Sequence, residues 1–137
     1  MFKKITESTL VVLTGLFFIF YNSNDGARKS VIHNISVEQL KKMMKNKDFT
    51  LINVHIPYAG EIPDTDVFIP FNDIEKEKNK LPANKNSKIV LYCRSGNMSE
   101  VASKTLVDMG YTSVYDVTGG MRAWKAAGYQ LLDKPNK

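Results

Sequence analysis

The chain has 137 residues, 43% of them hydrophobic, and a formal net charge of +5, which is enough for one domain with a core plus an appendage. Its positive charge is mostly lysine scattered along the chain, with no basic run interleaved with aromatics, which argues against nucleic acid as a partner and suits small anionic substrates or an anionic membrane surface. One cysteine and two histidines exclude an internal disulfide and a cysteine-rich metal centre.

The chain opens on the short basic stretch Met1-Phe2-Lys3-Lys4, followed by the nearly unbroken apolar run from Leu10 to Tyr21. A basic start and then an apolar stretch is the layout of a secretory signal. The run is shorter than the roughly 20 residues that span a bilayer comfortably. It is read either as a cleaved signal peptide or as an uncleaved anchor, with residues 5–21 providing membrane association. Both readings export the domain to a periplasmic or other extracytoplasmic location. No cysteine lies directly after the run, so a lipoprotein anchor is excluded. Residues 1–30 are therefore assigned to signal or anchor plus a polar linker, 31–133 to the domain, and 134–137 to a polar tail.

Within the domain, Ser36 and Gln39 form a capping box for a helix whose apolar stripe is Leu40, Met43 and Met44. Lys41, Lys42 and Lys45 form its solvated face. Phe49–Val54 reads as a buried strand, followed by a Pro- and Gly-punctuated loop from His55 to Asp64. Val67–Ile69 is a short strand stopped by Pro70, and the charged stretch Asp73–Lys80 is expected to be a short helix. Ile89–Tyr92 is a buried strand that ends at Cys93. From Ser99 the spacing is helical, with Val101, Ala102, Thr105, Leu106 and Met109 on one side and Gly110 as the stop. Ser113–Val117 is the next strand. Thr118-Gly119-Gly120 is a tight turn into the helix Met121–Ala127, in which Trp124 is expected in the core. Tyr129–Leu132 is a last extended segment. Strands that alternate with helices imply a parallel sheet covered on both faces, and in such sheets ligands bind beyond the carboxyl ends of the strands.

Cys93 lies at such an end. It is followed by the polar loop Arg94-Ser95-Gly96-Asn97-Met98-Ser99 and then by a helix. Loop and helix N-terminus present free N–H groups and a positive dipole end to the sulfur, an arrangement that favours a negatively charged nucleophile. Cys93 is the candidate catalytic nucleophile for covalent chemistry. Gly96 permits the backbone curvature that a ring of N–H donors needs. The Ser95 and Ser99 hydroxyls either donate to the site or simply cap the helix. Arg94 would attract an anionic substrate. His55 follows a neighbouring strand on the same sheet edge and is a further candidate.

The segments ISVEQLKKMM, LINV, VLYCRSGNMSEVASKTLVDMGY and SVYDVTGGMRAWKAAGY resemble a single rhodanese-like domain, and the likeness extends over about residues 36–132. The most specific features are the cysteine loop, the helix after it, and Gly-Gly-x-x-x-Trp at the right distance. The resemblance implies a three-layer α/β fold around a mostly parallel sheet. It also implies sulfur transfer, with a persulfide on Cys93 as the intermediate. Arg94 through Ser99 would bind the substrate, a small sulfane-sulfur donor. The acceptor would be a thiol or a cyanide-type nucleophile. No metal and no organic cofactor is implied.

Three departures qualify the resemblance. Asn53-Val54-His55 stands where the family usually has Asp-Val-Arg. Gly60-Glu61-Ile62-Pro63-Asp64-Thr65 stands where Gly-His-Ile-Pro-Gly-Ala is usual. Met98 occupies the loop position that often carries a cation for docking thiosulfate. Phosphatases of the same fold close a longer loop on an arginine six residues after the cysteine. Ser99 is at that position here, which argues against phosphatase chemistry. The alternatives to a sulfurtransferase are a non-catalytic sulfur-carrier or protein-binding module, and a thiol redox sensor that would need an external thiol.

Overall fold

The computed structural model describes residues 31–133, so the expectations placed on residues 1–30 and 134–137 lie outside the described residues. Five parallel strands form one sheet: β1 (Ile32–Ile35), β2 (Thr50–Asn53), β3 (Val67–Phe68), β4 (Ile89–Tyr92) and β5 (Val114–Val117), in the order β1-β5-β4-β2-β3. Three α-helices accompany them: α1 (Val37–Met43), α2 (Asn97–Asp108) and α3 (Gly120–Ala126).

The strands are continuous apolar runs because both faces of the sheet are covered. In β4, Ile89 and Leu91 face a cluster with Leu106 and Ala102 of α2. Val90 and Tyr92 face the opposite cluster, with Leu40 of α1 and Trp124 of α3. Alternation along one strand thus supplies both cores. Burial of each such side chain stabilises the fold by roughly 1.5–3 kcal/mol.

Helix ends follow the local chemistry. Ser36 caps α1, accepting from the Gln39 N–H at 3.1 Å, while the Gln39 side chain accepts from the Ser36 N–H at 2.8 Å. Gly110 at φ +95° ends α2, with its own N–H on Val107 O and the Tyr111 N–H on Leu106 O. That paired closure needs a left-handed residue after the helix, which glycine adopts at little steric cost.

Four local expectations are corrected. The strand β1 was not anticipated, since His33 and Asn34 in its centre break the apolar run. It forms because it pairs in register with β5, from Ile32 opposite Val114 to Ile35 opposite Val117. The stretch Asp73–Lys80 is not an α-helix. It makes isolated turns and a three-residue 3-10 segment at Lys78–Lys80. Of its residues only Ile74 is fully buried, and one apolar anchor offers too little burial to offset the cost of helix nucleation. Helix α2 begins at Asn97, two residues before the expected start, because Gly96 turns the chain there. Val101 is 47% exposed, while Ser99 and Ser103 are buried with Ala102 and Leu106. The face of α2 that meets the sheet is therefore partly hydroxylic, which an apolar-spacing argument does not detect.

The connections leaving β2 and β4 run to opposite sides of the sheet, β2 to β3 and β4 to β5. The crevice beyond the carboxyl ends of these two strands is where a doubly wound sheet places its ligand. Cys93 follows β4 and His55 lies two residues beyond β2.

Candidate functional site

Cys93 is 1% exposed. Its Sγ accepts a hydrogen bond from the Gly96 N–H at 3.0 Å. Gly96 has φ +118°, a conformation closed to ordinary side chains. It also serves as N-cap of α2, so the residue that bends the loop around the sulfur is the one that starts the helix. The 12-residue helix α2 then points its positive dipole end at the sulfur.

Ser99 is fully buried, and its Oγ is 3.5 Å from Cys93 Sγ. The hydroxyl donates to Gly96 O at 3.1 Å and lies near the Asp116 carboxyl. No side chain caps α2 at its N-terminus, so the helix-capping alternative for Ser99 does not describe it. It sits between the thiol and a buried acid. Asp116, on β5, is 7% exposed, and its Oδ1 has no hydrogen-bond partner among the described residues. Burial raises its pKa, the Ser99 hydroxyl opposes that, and the Glu100 charge adds to it. Sequence reasoning missed Asp116. The available signal was an acid inside the apolar strand Val114-Tyr115-Asp116-Val117.

The remaining loop residues separate into two groups. Arg94, Ser95 and Asn97 are exposed. Met98 is half-buried and packs against the α2-side core, so its side chain belongs to the scaffold. His55 is also half-buried, and its backbone N–H donates to Asn53 Oδ1 at 3.0 Å. Burial, and then the Arg94 guanidinium, lowers the His55 pKa and so favours the neutral imidazole. His55 thus lies within the field of Arg94, yet its side chain makes no hydrogen bond to the sulfur.

The Gly-Gly turn supports the loop from behind. The Met121 N–H donates to Cys93 O at 2.9 Å and the Arg122 N–H to Arg94 O at 3.0 Å. A Cβ on Gly120 would lie 2.1 Å from Cys93 O, so only glycine lets α3 approach this closely. Trp124 is buried in the core between α1 and α3, and its Nε1–H donates to Gln130 O at 2.9 Å. Beneath the site, Asn53 uses both ends of its amide: Nδ2 donates to Gly60 O at 3.0 Å, and Oδ1 accepts from His55. A carboxylate could not make the first of these bonds, which gives a physical role to the departure at this position. Among the described residues no group of acids, histidines and cysteine could hold a metal ion.

A profile of the rhodanese-like domain family matches residues 36–127. YrkF of Bacillus subtilis, a protein provisionally assigned as a sulfur carrier, is 35% identical over 99 residues, which are 69% of this chain and 52% of that protein. The chain thus spans about half the length of YrkF. A sulfurtransferase of Allochromatium vinosum is 29% identical over 106 residues, 74% of this chain and 96% of that protein. Among solved structures, a rhodanese-related protein from Thermoplasma volcanium superimposes with a TM-score of 0.63 at 26% identity, over 74% of this chain and 99% of that one.

Proposed function

The chain belongs to the rhodanese-like domain family, and from that premise we propose that it is a sulfurtransferase working through a persulfide on Cys93. The observation that carries this reading is the single cysteine at the carboxyl end of β4, its sulfur hydrogen-bonded by the Gly96 N–H at 3.0 Å and facing the start of α2.

The chemistry runs in two displacements. The Cys93 thiolate attacks the outer sulfur of a sulfane donor. A sulfur–sulfur bond forms to Cys93, the donor's own sulfur–sulfur bond breaks, and the leaving group departs with that electron pair. A thiolate or cyanide acceptor then attacks the terminal sulfur and takes it, and Cys93 leaves as thiolate. The resting persulfide is anionic, and the N-terminal N–H groups of α2 suit such a charge. Ser99 supplies a hydroxyl beside the sulfur. Gly96 O holds that hydroxyl in place, and the buried Asp116 carboxyl lies near it.

A second reading, a sulfur carrier without turnover, is favoured by Met98, which packs half-buried against the core and leaves the position five residues after Cys93 without a cation. The apolar run Leu10–Tyr21 supports export of the domain, cleaved or anchored, with residues 31–133 as the exported unit. Cell fractionation before and after deletion of residues 5–21 tests export, which predicts loss of the extracytoplasmic protein.

Intact mass tests the persulfide. The full chain is exposed to thiosulfate, polysulfide or an organic persulfide, beside a Cys93→Ala control. A gain of one sulfur, lost to cyanide and absent from the control, is the expected result. No gain from any donor refutes both the enzyme and the carrier. Loading that no acceptor removes at a useful rate selects the carrier.

A further inference from the structure

We propose that Arg94, Arg122 and Lys125 form an anion-recognition pocket beside the cysteine loop, which selects a donor whose sulfane sulfur sits on an organic frame bearing carboxylates. The proposal rests on the sulfurtransferase reading and adds to Arg94 two residues, Arg122 and Lys125, that the loop does not contain.

A cavity of about 270 Å³ is lined by Ala59, Arg94, Met121, Arg122, Lys125 and Leu131. Its position relative to the nucleophile is set by backbone. The Met121 N–H is bound to Cys93 O at 2.9 Å and the Arg122 N–H to Arg94 O at 3.0 Å. The wall of the cavity is therefore tied to the nucleophile and to the residue after it. Lys125 lies three residues beyond Arg122 on α3, on the same side of the helix. The opposite wall is also fixed: Leu131 precedes Leu132, which exchanges two backbone hydrogen bonds of 2.8 Å with Glu61.

Three positive side chains line this cavity and no acid does. None of the three forms an ion pair among the described residues. Like charges gathered without a counterion repel one another, and an anion placed among them removes that cost while gaining charge-assisted hydrogen bonds. The Arg94 charge, which also lowers the His55 pKa, lies on the crevice side of the cavity. Ala59, Met121 and Leu131 add apolar surface suited to a carbon frame. An inorganic oxyanion such as thiosulfate would fill only a small part of the cavity and leave that surface unused. With Met98 turned into the core, recognition passes from the loop to α3, which reads the far end of the donor while its sulfur reaches Cys93.

The test uses the full chain and glutathione sulfonate, an unreactive carboxylate-bearing probe with no sulfane sulfur. Titration calorimetry compares wild type with the double variant Arg122→Glu/Lys125→Glu. A control, Lys42→Glu/Lys45→Glu, makes the same charge change on the exposed surface of α1 and the 3-10 turn that follows it. The conservative pair Arg122→Lys/Lys125→Arg keeps the charge. Binding to wild type is expected to weaken by about a hundredfold in the α3 reversal, at roughly tenfold per cation, and to change little in the other two. Absence of binding to wild type, or an equal loss in the α1 control, overturns the pocket. Loading of Cys93 is then followed by mass with glutathione persulfide and with thiosulfate. The α3 reversal should slow the first and spare the second. If the sulfonate binds as predicted but no donor loads Cys93 in wild type, the pocket stands and the sulfurtransferase reading fails. If wild type loads and the α3 reversal slows neither donor, the reading stands and the pocket fails.

Discussion

Replacement of Gly120 by alanine isolates the contact that joins α3 to the cysteine loop. Gly120 has φ +51°, and its added Cβ would lie 2.1 Å from Cys93 O, 2.9 Å from Cys93 C and 3.0 Å from Arg94 C. The obstacle is backbone, so no side-chain rotation relieves it. Left-handed strain on a residue with a Cβ costs about 1 kcal/mol. Forced displacement of packed groups adds about 1–3 kcal/mol. The two bonds from Met121 and Arg122 to the carbonyls of Cys93 and Arg94 are worth about 1 kcal/mol each and lengthen or break. The sum is about 4–6 kcal/mol. Gly110→Ala is the matched comparison: φ is +95°, but nothing lies within 4 Å of its added Cβ, so only backbone strain remains, about 1–2 kcal/mol. Urea unfolding followed by circular dichroism measures both. The midpoint should fall much further for Gly120→Ala, with m unchanged. Cys93 loading should fall at Gly120→Ala even under conditions where the protein remains folded, and should be retained at Gly110→Ala. Equal losses of stability in the two variants would refute the argument that the Gly-Gly turn is there for close approach to the loop.

The buried acid gives a pH signature. The folded protein holds the Asp116 proton more tightly than the unfolded chain, whose value is the ordinary 3.8. Stability therefore falls as pH rises from about 3.8 through the raised folded value, and is flat above it. Asp116→Asn removes this fall, so the variant should gain on wild type with rising pH and match it most closely in strong acid. Paired unfolding curves across pH check this, and a gain that is constant with pH would refute it. Ser99→Ala removes the hydroxyl that opposes the upward shift, so the fall in stability should extend to higher pH than in wild type. Asn53→Ala leaves Gly60 O and the His55 N–H without their side-chain partner and should cost about 2–3 kcal/mol in the same assay; a loss as small as that of a surface substitution would show that water replaces both bonds. Ser36→Ala removes the side-chain half of the α1 capping box, leaving the residue-36 N–H on the Gln39 side chain, and should cost about 1 kcal/mol, with sulfur loading at Cys93 unchanged.

Much of the fold was legible because it is written in local pattern. The Ser36 capping box, the apolar runs of β2, β4 and β5, the glycine stop after α2 and the Gly-Gly turn each depend on neighbours within a few residues. The strand–helix alternation was enough to place helices on both faces of a parallel sheet, and Cys93 at a strand end was enough to mark the crevice. Where local pattern was ambiguous, packing decided. Strand β1 exists because β5 accepts it, and Asp73–Lys80 is not helical because the core offers it one anchor, Ile74.

By itself, then, the sequence determined the family, the class of fold and the position of Cys93 at a strand end, since all three rest on short-range spacing of residue types. Only the tertiary structure decided what surrounds that cysteine. It brought Asp116 of β5 to Ser99 of α2, because β4 and β5 are adjacent and α2 packs across them. It turned Met98 into the core and Ser99 toward the sulfur, because Gly96 starts the helix two residues before the apolar spacing indicates. It drew Arg122 and Lys125 to Arg94, because a glycine without a Cβ lets α3 rest on the loop's own carbonyls. These contacts join residues from separate elements, and their meeting depends on strand order and on the closeness of two backbones, neither of which a local pattern encodes.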